Sequence, residues 1–75
     1  MSTFFLKKGV IFLNWVKLGE RIKKSRENKG LLQSDIAKLL DVSPSFICQL
    51  ESGKKKMSLD NLIKLGKILE IDILE

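Results

Sequence analysis

The stretch Ser43-Pro-Ser-Phe-Ile-Cys-Gln-Leu-Glu-Ser-Gly53 carries the signals for both ends of a short helix. The Ser43 hydroxyl can accept a hydrogen bond from the first free amides, and Pro44 suits the first helical position. Gly53 tolerates the left-handed backbone conformation that often ends a helix. We therefore predict a helix over residues 44–52.

This predicted helix has two unlike sides, because each residue turns the helix by about 100°. Ile47 and Leu50, together with the edge of Phe46, form an apolar side that suits a protein core. The residues of the other side are polar or small: Pro44, Ser45, Cys48, Gln49 and Ser52. The sequence thus predicts a helix that is packed on one side and offered outward on the other.

Further helical patterns lie on both sides of this stretch. Residues 17–29 and 33–40 each carry an apolar stripe at helical spacing, and Gly30 supplies a stop between them. After the stretch, Ser58 can cap a helix that starts at Leu59. We expect the apolar stripe of this last helix to close the core through Leu59, Leu62, Ile63, Leu65, Ile68 and Leu69.

The connection before Ser43 has the pattern of a tight turn. Asp41 stands where such a turn needs a left-handed residue, and Asp adopts that conformation more readily than a branched side chain does. Val42 follows as an apolar plug for the turn. Two short helices joined by a few residues, the second with a polar outer side, are the sequence pattern of a helix-turn-helix.

Length and composition limit the class of protein. A chain of 75 residues is enough for one small domain and not for two. The chain has a single Cys and no His, so neither a disulfide framework nor a zinc site is expected. The cysteine content favours a cytoplasmic location. We expect the lone thiol, on Cys48, to be inert, with a redox switch as the alternative.

The charge of the chain is positive and unevenly distributed. The formal net charge is +5, but residues 1–56 contain 12 Lys or Arg against 5 Asp or Glu, whereas residues 57–75 contain 2 against 4. A basic body of this kind is attracted to polyanions. Nucleic acid is the first candidate partner, and an anionic membrane surface is the second.

Residues 1–16 form an apolar arm before the predicted domain at residues 17–75. The arm is shorter than the roughly 20 apolar residues that span a bilayer, and Lys7 and Lys8 interrupt it. It also lacks the order of charge, apolar core and cleavage site found in a secretory signal. Four interpretations stay open: an extra packed element, an arm that binds a partner subunit, a membrane-surface anchor, or sequence with little folding role.

Residues 18 to about 74 resemble the phage-repressor-like helix-turn-helix family of Cro and XRE type. The resemblance rests on Leu18-Gly-Glu-Arg-Ile22, Arg26, Gly30-Leu-Leu-Gln33, Ile36-Ala37, Val42-Ser43, Ile47, Leu50-Glu-Ser-Gly53 and Leu62-Ile-Lys-Leu65. It implies an all-α bundle of four to five short helices. It also implies a homodimer that binds a palindromic operator in double-stranded DNA, with helix 44–52 in the major groove.

The resemblance further implies roles for individual residues. Base contacts are expected from Pro44, Ser45 and Gln49. Phe46 is expected to pack at the edge of the core, with a base contact, to a thymine methyl group, as the alternative. Phosphate contacts are expected from Gln33, Ser43, Ser52, Lys54, Lys55 and Lys56. Arg26 and Glu51 match a buried ion pair between the first and third helices. The apolar end of the chain supplies candidates for a dimer interface: Ile71, Ile73 and Leu74.

The sequence therefore predicts a DNA-binding transcriptional regulator, most simply a repressor that acts by occupying its operator. The alternative is an antitoxin-like or other protein-interaction module, in which the arm and the tail bind a partner and DNA binding is secondary. No enzyme activity and no cofactor are expected. The chain has no His, no Gly-rich phosphate loop and no clustered carboxylates.

Overall fold

The computed structural model describes residues 14–73, and this part of the chain forms four α-helices. Their bounds are Trp15–Asn28 for α1, Gln33–Leu40 for α2, Pro44–Glu51 for α3 and Leu59–Leu69 for α4. Residues 14–73 contain no β-strand. The predicted all-α fold is confirmed.

The four helices surround one apolar core. Helix α3 packs against α1 and α2, and α4 closes the core by contacting the same two helices. The side chains buried there come from all four helices and from the segments after α3 and α4: Leu18, Ile22, Ile36, Ala37, Leu40, Ile47, Leu50, Met57, Leu62, Leu65, Leu69 and Ile73. Ile47 and Leu50 thus fix the predicted apolar side of α3 in the centre of the molecule.

Helix α1 begins at Trp15, earlier than the predicted start at Lys17. The cause is Asn14, whose side-chain oxygen accepts a hydrogen bond from the Lys17 amide at 3.1 Å. The Trp15 ring is half-buried and packs against the core. Trp15 and Val16 of the predicted arm are therefore part of the first helix, and the rest of the arm, residues 1–13, lies outside the described residues.

The turn between α2 and α3 has the predicted left-handed residue. Asp41 adopts φ 57° and ψ 46°, and the Val42 amide donates a hydrogen bond to the Ala37 carbonyl at 2.9 Å. At the other end of α2, the apolar Leu32 occupies the cap position. The Asp35 carboxylate there accepts a hydrogen bond from the Leu32 amide at 2.7 Å, which secures the first turn without a capping hydroxyl.

Helix α4 packs through a narrower stripe than the sequence predicts. It begins as expected, because the Ser58 hydroxyl accepts a hydrogen bond from the Asn61 amide at 3.2 Å. Leu59 and Ile63, however, are 52% and 48% exposed, so their assignment to the core is wrong. The physical reason is that α1 and α2 cover only one side of α4, the side of Leu62, Leu65, Ile68 and Leu69.

The segment after α4 folds back onto the molecule. Glu70 adopts the left-handed conformation with φ 58°, and the Ile71 amide donates to the Gly66 carbonyl at 3.0 Å. The Arg21 guanidinium holds the segment from α1 by donating to the Asp72 carbonyl at 2.7 Å. This reversal directs the chain back towards the core.

The reversal corrects one expectation about the dimer interface. Ile73 is only 7% exposed and belongs to the core of its own chain, so little of its surface remains for a second subunit. Ile71 is half-buried and also packs against that core. The third candidate, Leu74, lies outside the described residues.

Candidate nucleic-acid interface

A buried ion pair joins the inner side of α3 to α1. The Arg26 Nε donates to Glu51 Oε2 at 2.7 Å, and the Arg26 Nη2 donates to Glu51 Oε1 at 3.1 Å. The two residues are 7% and 6% exposed. The hydrogen bond to Glu51 raises the pKa of Arg26, although burial opposes this effect. The guanidinium therefore stays charged, and the pair that the resemblance implies has its two-bond geometry.

The same carboxylate is also bound by α2. Gln33 Nε2 donates to Glu51 Oε1 at 3.0 Å, and Arg26 Nη1 donates to the Leu31 carbonyl at 2.8 Å. Glu51 thus connects the last turn of α3 to α1 and to the first turn of α2, and Arg26 holds the α1–α2 loop. The Gln33 amide has a second hydrogen, which leaves a donor for the predicted phosphate contact.

Gly19 lets α1 and α3 approach each other at backbone distance. A Cβ atom at this position would lie 2.5 Å from the Glu51 carbonyl oxygen and 2.6 Å from that of Leu50. Any side chain on Gly19 would therefore push the last turn of α3 away from α1. The sequence offers one signal for this close approach, a glycine beside the apolar stripe of a helix.

The outer side of α3 is open. Pro44, Ser45 and Cys48 are exposed and Gln49 is half-buried. The side-chain amide of Gln49 makes no hydrogen bond with any other residue of the described range 14–73. Ser45 and Gln49 lie opposite Ile47 and offer donors and acceptors to a ligand, and Pro44 and Cys48 lie beside them.

Phe46 is half-buried and packs against the core. Its backbone amide donates to the Ser43 hydroxyl oxygen at 3.0 Å, which is the predicted cap of α3. The Phe46 ring therefore lies at the edge of the core, as the sequence predicts. The Ser43 hydroxyl hydrogen is not needed for the cap, since the oxygen accepts that bond.

The expected phosphate-contacting residues after α3 lie in a loop whose direction is fixed. Gly53 adopts φ 81°, and the Lys54 amide donates to the Gln49 carbonyl at 2.9 Å. A Cβ at Gly53 would lie 2.8 Å from Val16 Cγ2, so the loop runs directly along the start of α1. Lys54, Lys55 and Lys56 are all exposed.

Ser52 has a hydroxyl that is already used as a donor. It donates to the Gln49 carbonyl at 3.0 Å. Phosphate oxygens only accept hydrogen bonds, so a phosphate contact by Ser52 would require this bond to break. Each of the three lysines that follow brings a positive charge and three donor hydrogens to the loop beside α3.

Helices α2 and α3 are two short helices joined by a tight turn. The second of them, α3, is buried on one side and open on the other. This arrangement is a helix-turn-helix. A family model described as "Helix-turn-helix" matches residues 22–75. The chain belongs to this family and is of its XRE and Cro type, a type of DNA-binding transcription regulator.

The fold is also similar to that of a solved structure. This is the restriction-modification controller protein C.AhdI from Aeromonas hydrophila, with a TM-score of 0.71 and 34% sequence identity. The similarity covers 83% of this chain and 94% of the controller protein.

Relatives of known name include both short and long proteins. The ImmF control region 10 kDa protein of Bacillus phage phi105 is 31% identical over 61 residues, which cover 81% of this chain and 68% of that protein. Control protein C.MunI of Mycoplasma sp is 33% identical over 61 residues, covering 80% and 82%. The HTH-type transcriptional regulator RamB of Mycobacterium tuberculosis is 26% identical over 55 residues, 73% of this chain. The matched part of this chain spans only 12% of RamB.

None of the helices in residues 14–73 is both long enough and apolar enough to cross a bilayer.

Proposed function

We propose that this protein is a sequence-specific transcriptional regulator that binds double-stranded operator DNA as a homodimer, with α3 in the major groove. The observation that carries the proposal is the division of α3 into an anchored side and an open side. Glu51 holds one side through hydrogen bonds to Arg26 and Gln33. The other side presents Ser45 and the side-chain amide of Gln49, which has no hydrogen-bond partner among residues 14–73.

The two groups of outward residues have different tasks in this proposal. Ser45 and Gln49 contact base edges, which gives the protein its sequence preference. Lys54, Lys55 and Lys56 contact phosphates, which gives affinity for any duplex and fixes the position of the domain on it. Ser43 and Gln33 add phosphate contacts through the donors that their structural hydrogen bonds leave free.

The relatives support a regulatory role, because one is named a control protein, one a control region protein and one a restriction-modification controller protein. A dimer would place its two α3 helices in half-sites about 34 Å apart on one face of the duplex. Occupation of such an operator in the cytoplasm would exclude polymerase, which makes repression the simplest mode of action.

The open side of α4 is the best surface for the second copy of the chain. Leu59 and Ile63 lie one turn apart and are about half exposed. Ile63 also lines an open groove of about 260 Å³ together with Gly66, Lys67, Glu70 and Ile71. In an antiparallel pairing of two α4 helices centred on Ile63, Asp60 of one copy would lie near Lys67 of the other. Such self-complementarity is what a two-fold interface requires.

DNA binding is tested by a mobility-shift titration with the DNA upstream of the protein's own gene, at several salt concentrations. We expect a discrete complex. Lys54→Ala should reduce the magnitude of the slope of log affinity against log salt by about 1.8, because the dimer loses two phosphate contacts worth about 0.9 each. Lys64→Ala on α4 removes an equal charge elsewhere and should leave the slope unchanged. A failure to form a discrete complex, or equal effects of the two variants, would contradict the proposal.

The dimer surface is tested by light scattering. Ile63→Glu should convert the dimer to a monomer, because it places a charge at the centre of an apolar interface. Lys64 is exposed and lies about 100° around the helix from Ile63, outside the proposed interface. The Lys64→Glu variant should therefore remain a dimer. A dimer that persists in the Ile63 variant would exclude this side of α4.

A further inference from the structure

The part of α3 that faces outward carries no charge. The helix Pro44–Glu51 contains one charged residue, Glu51, and this residue is buried in the ion pair with Arg26. The exposed or half-exposed side chains on the outer face are Pro44, Ser45, Cys48 and Gln49. Whatever these side chains recognise must therefore be recognised by neutral hydrogen bonds and apolar contacts.

This face lacks the side chains that read G·C pairs best. Guanine presents two acceptors, O6 and N7, which are contacted most specifically by the paired donors of Arg or by Lys. Cytosine presents an amino group, which calls for a carboxylate. Helix α3 offers neither Arg nor Lys, and its only carboxylate points inward to Arg26.

The same face matches the A·T pair. Adenine presents N7 as an acceptor and its N6 amino group as a donor, which a single Gln amide can bind together. Gln49 has such an amide, with no hydrogen-bond partner in residues 14–73. Thymine adds a methyl group, which is recognised by apolar contact. The Pro44 ring and the Cys48 side chain supply exposed apolar surface beside Ser45 and Gln49 on α3.

We infer that the operator half-site is rich in A·T at the base pairs under α3, with Gln49 on an adenine and Pro44 and Cys48 against thymine methyl groups. This inference rests on the proposed function and adds to it the class of base that α3 selects. One helical turn advances about 5.4 Å, so this patch covers only two to three base pairs of each half-site. Ser45 adds little discrimination, since serine can bond to any base.

The experiment begins with selection of duplexes from a random pool by the full chain. The enriched duplexes are then remade with single modified bases. Replacing adenine by 7-deazaadenine removes the N7 acceptor, and replacing thymine by uracil removes the methyl group. We expect 7-deazaadenine at one position of the half-site to weaken binding about 10-fold. The same base replacement should not change the DNA affinity of the Gln49→Ala variant. Uracil at a neighbouring position should weaken DNA binding by the wild-type protein.

The outcomes separate this inference from the proposed function. Enriched half-sites with guanine at the base pairs that α3 contacts would overturn the A·T assignment. The proposed sequence-specific binding would still stand. A 7-deazaadenine penalty that persists in the Gln49 variant would also overturn it. Uracil that binds as well as thymine would overturn the methyl contact. A pool without any enriched sequence would overturn the proposed function and this inference with it.

Discussion

The two sides of α3 differ in how fully their polar groups are bonded. On the inner side, the Glu51 carboxylate accepts hydrogen bonds from Arg26 and Gln33, and Ile47 and Leu50 are fully buried. On the outer side, the Gln49 amide has no partner among residues 14–73. One short helix therefore keeps apart the groups that stabilise the fold and the groups that, in the proposed function, contact DNA. The inner side holds the helix in place. Residues of the outer side can be replaced to suit another DNA sequence without loss of stability.

Glu51→Ala should have the largest effect on the inner side. It removes the carboxylate and leaves the buried charge of Arg26 without its partner, which costs about 3–5 kcal/mol in free energy of unfolding. Thermal unfolding followed by circular dichroism would show the loss. A melting temperature equal to that of the wild type would contradict the account of the inner side.

A double variant serves as the control for this prediction. Arg26→Met combined with Glu51→Leu removes both charges and fills their volume with apolar atoms. Because no unpaired charge remains, the double variant should be more stable than Glu51→Ala alone. An equally unstable double variant would show that the loss comes from packing and not from the unpaired charge.

Gly19→Ala should have an intermediate effect, and its direction is informative. Helix propensity alone predicts that alanine stabilises α1 by about 1 kcal/mol relative to glycine. The added Cβ would instead lie 2.5 Å from the Glu51 carbonyl oxygen, a backbone atom that cannot rotate away. We expect a net destabilisation of about 1–3 kcal/mol in a denaturant titration. A variant more stable than the wild type would show that α1 and α3 are not fixed at this distance.

Gln33→Ala should have the smallest effect of the three on stability. It removes the hydrogen bond from Gln33 to Glu51, while the Arg26 pair remains. A hydrogen bond to a charged group is worth about 1.5–3 kcal/mol, and partial exposure of Gln33 places the expected loss at the lower end. Chemical denaturation would measure it. A loss as large as that of Glu51→Ala would mean that Gln33, and not Arg26, is the main partner of the carboxylate.

Much of the fold follows from the sequence because its signals are local. Ser43 and Ser58 accept the predicted capping bonds, and Asp41 and Gly53 adopt the predicted positive φ. Each of these features depends on a residue and its immediate neighbours. The predicted start of α1 is two residues too late, because its cap, Asn14, lies inside the predicted arm.

The errors concern how elements face one another. Leu59 and Ile63 continue the apolar pattern of α4, but periodicity cannot tell how wide a stripe the neighbouring helices will cover. Ile73 lies in the core because the chain reverses at Glu70, which adopts a left-handed conformation that is uncommon for a residue other than glycine. The close approach at Gly19 and the bond from Gln33 to Glu51 likewise depend on tertiary distances.

The most direct test of the account compares two glutamines, one on each side of the division. Gln49→Ala and Gln33→Ala are each measured by thermal unfolding and by titration with the selected operator and with random duplex. We predict that Gln49→Ala keeps the wild-type melting temperature and loses about 10-fold in affinity for the operator alone. Gln33→Ala should melt lower and weaken binding to both duplexes. A Gln49 variant that melts lower, or that binds both duplexes equally less well, would contradict the separation of stability from recognition on α3.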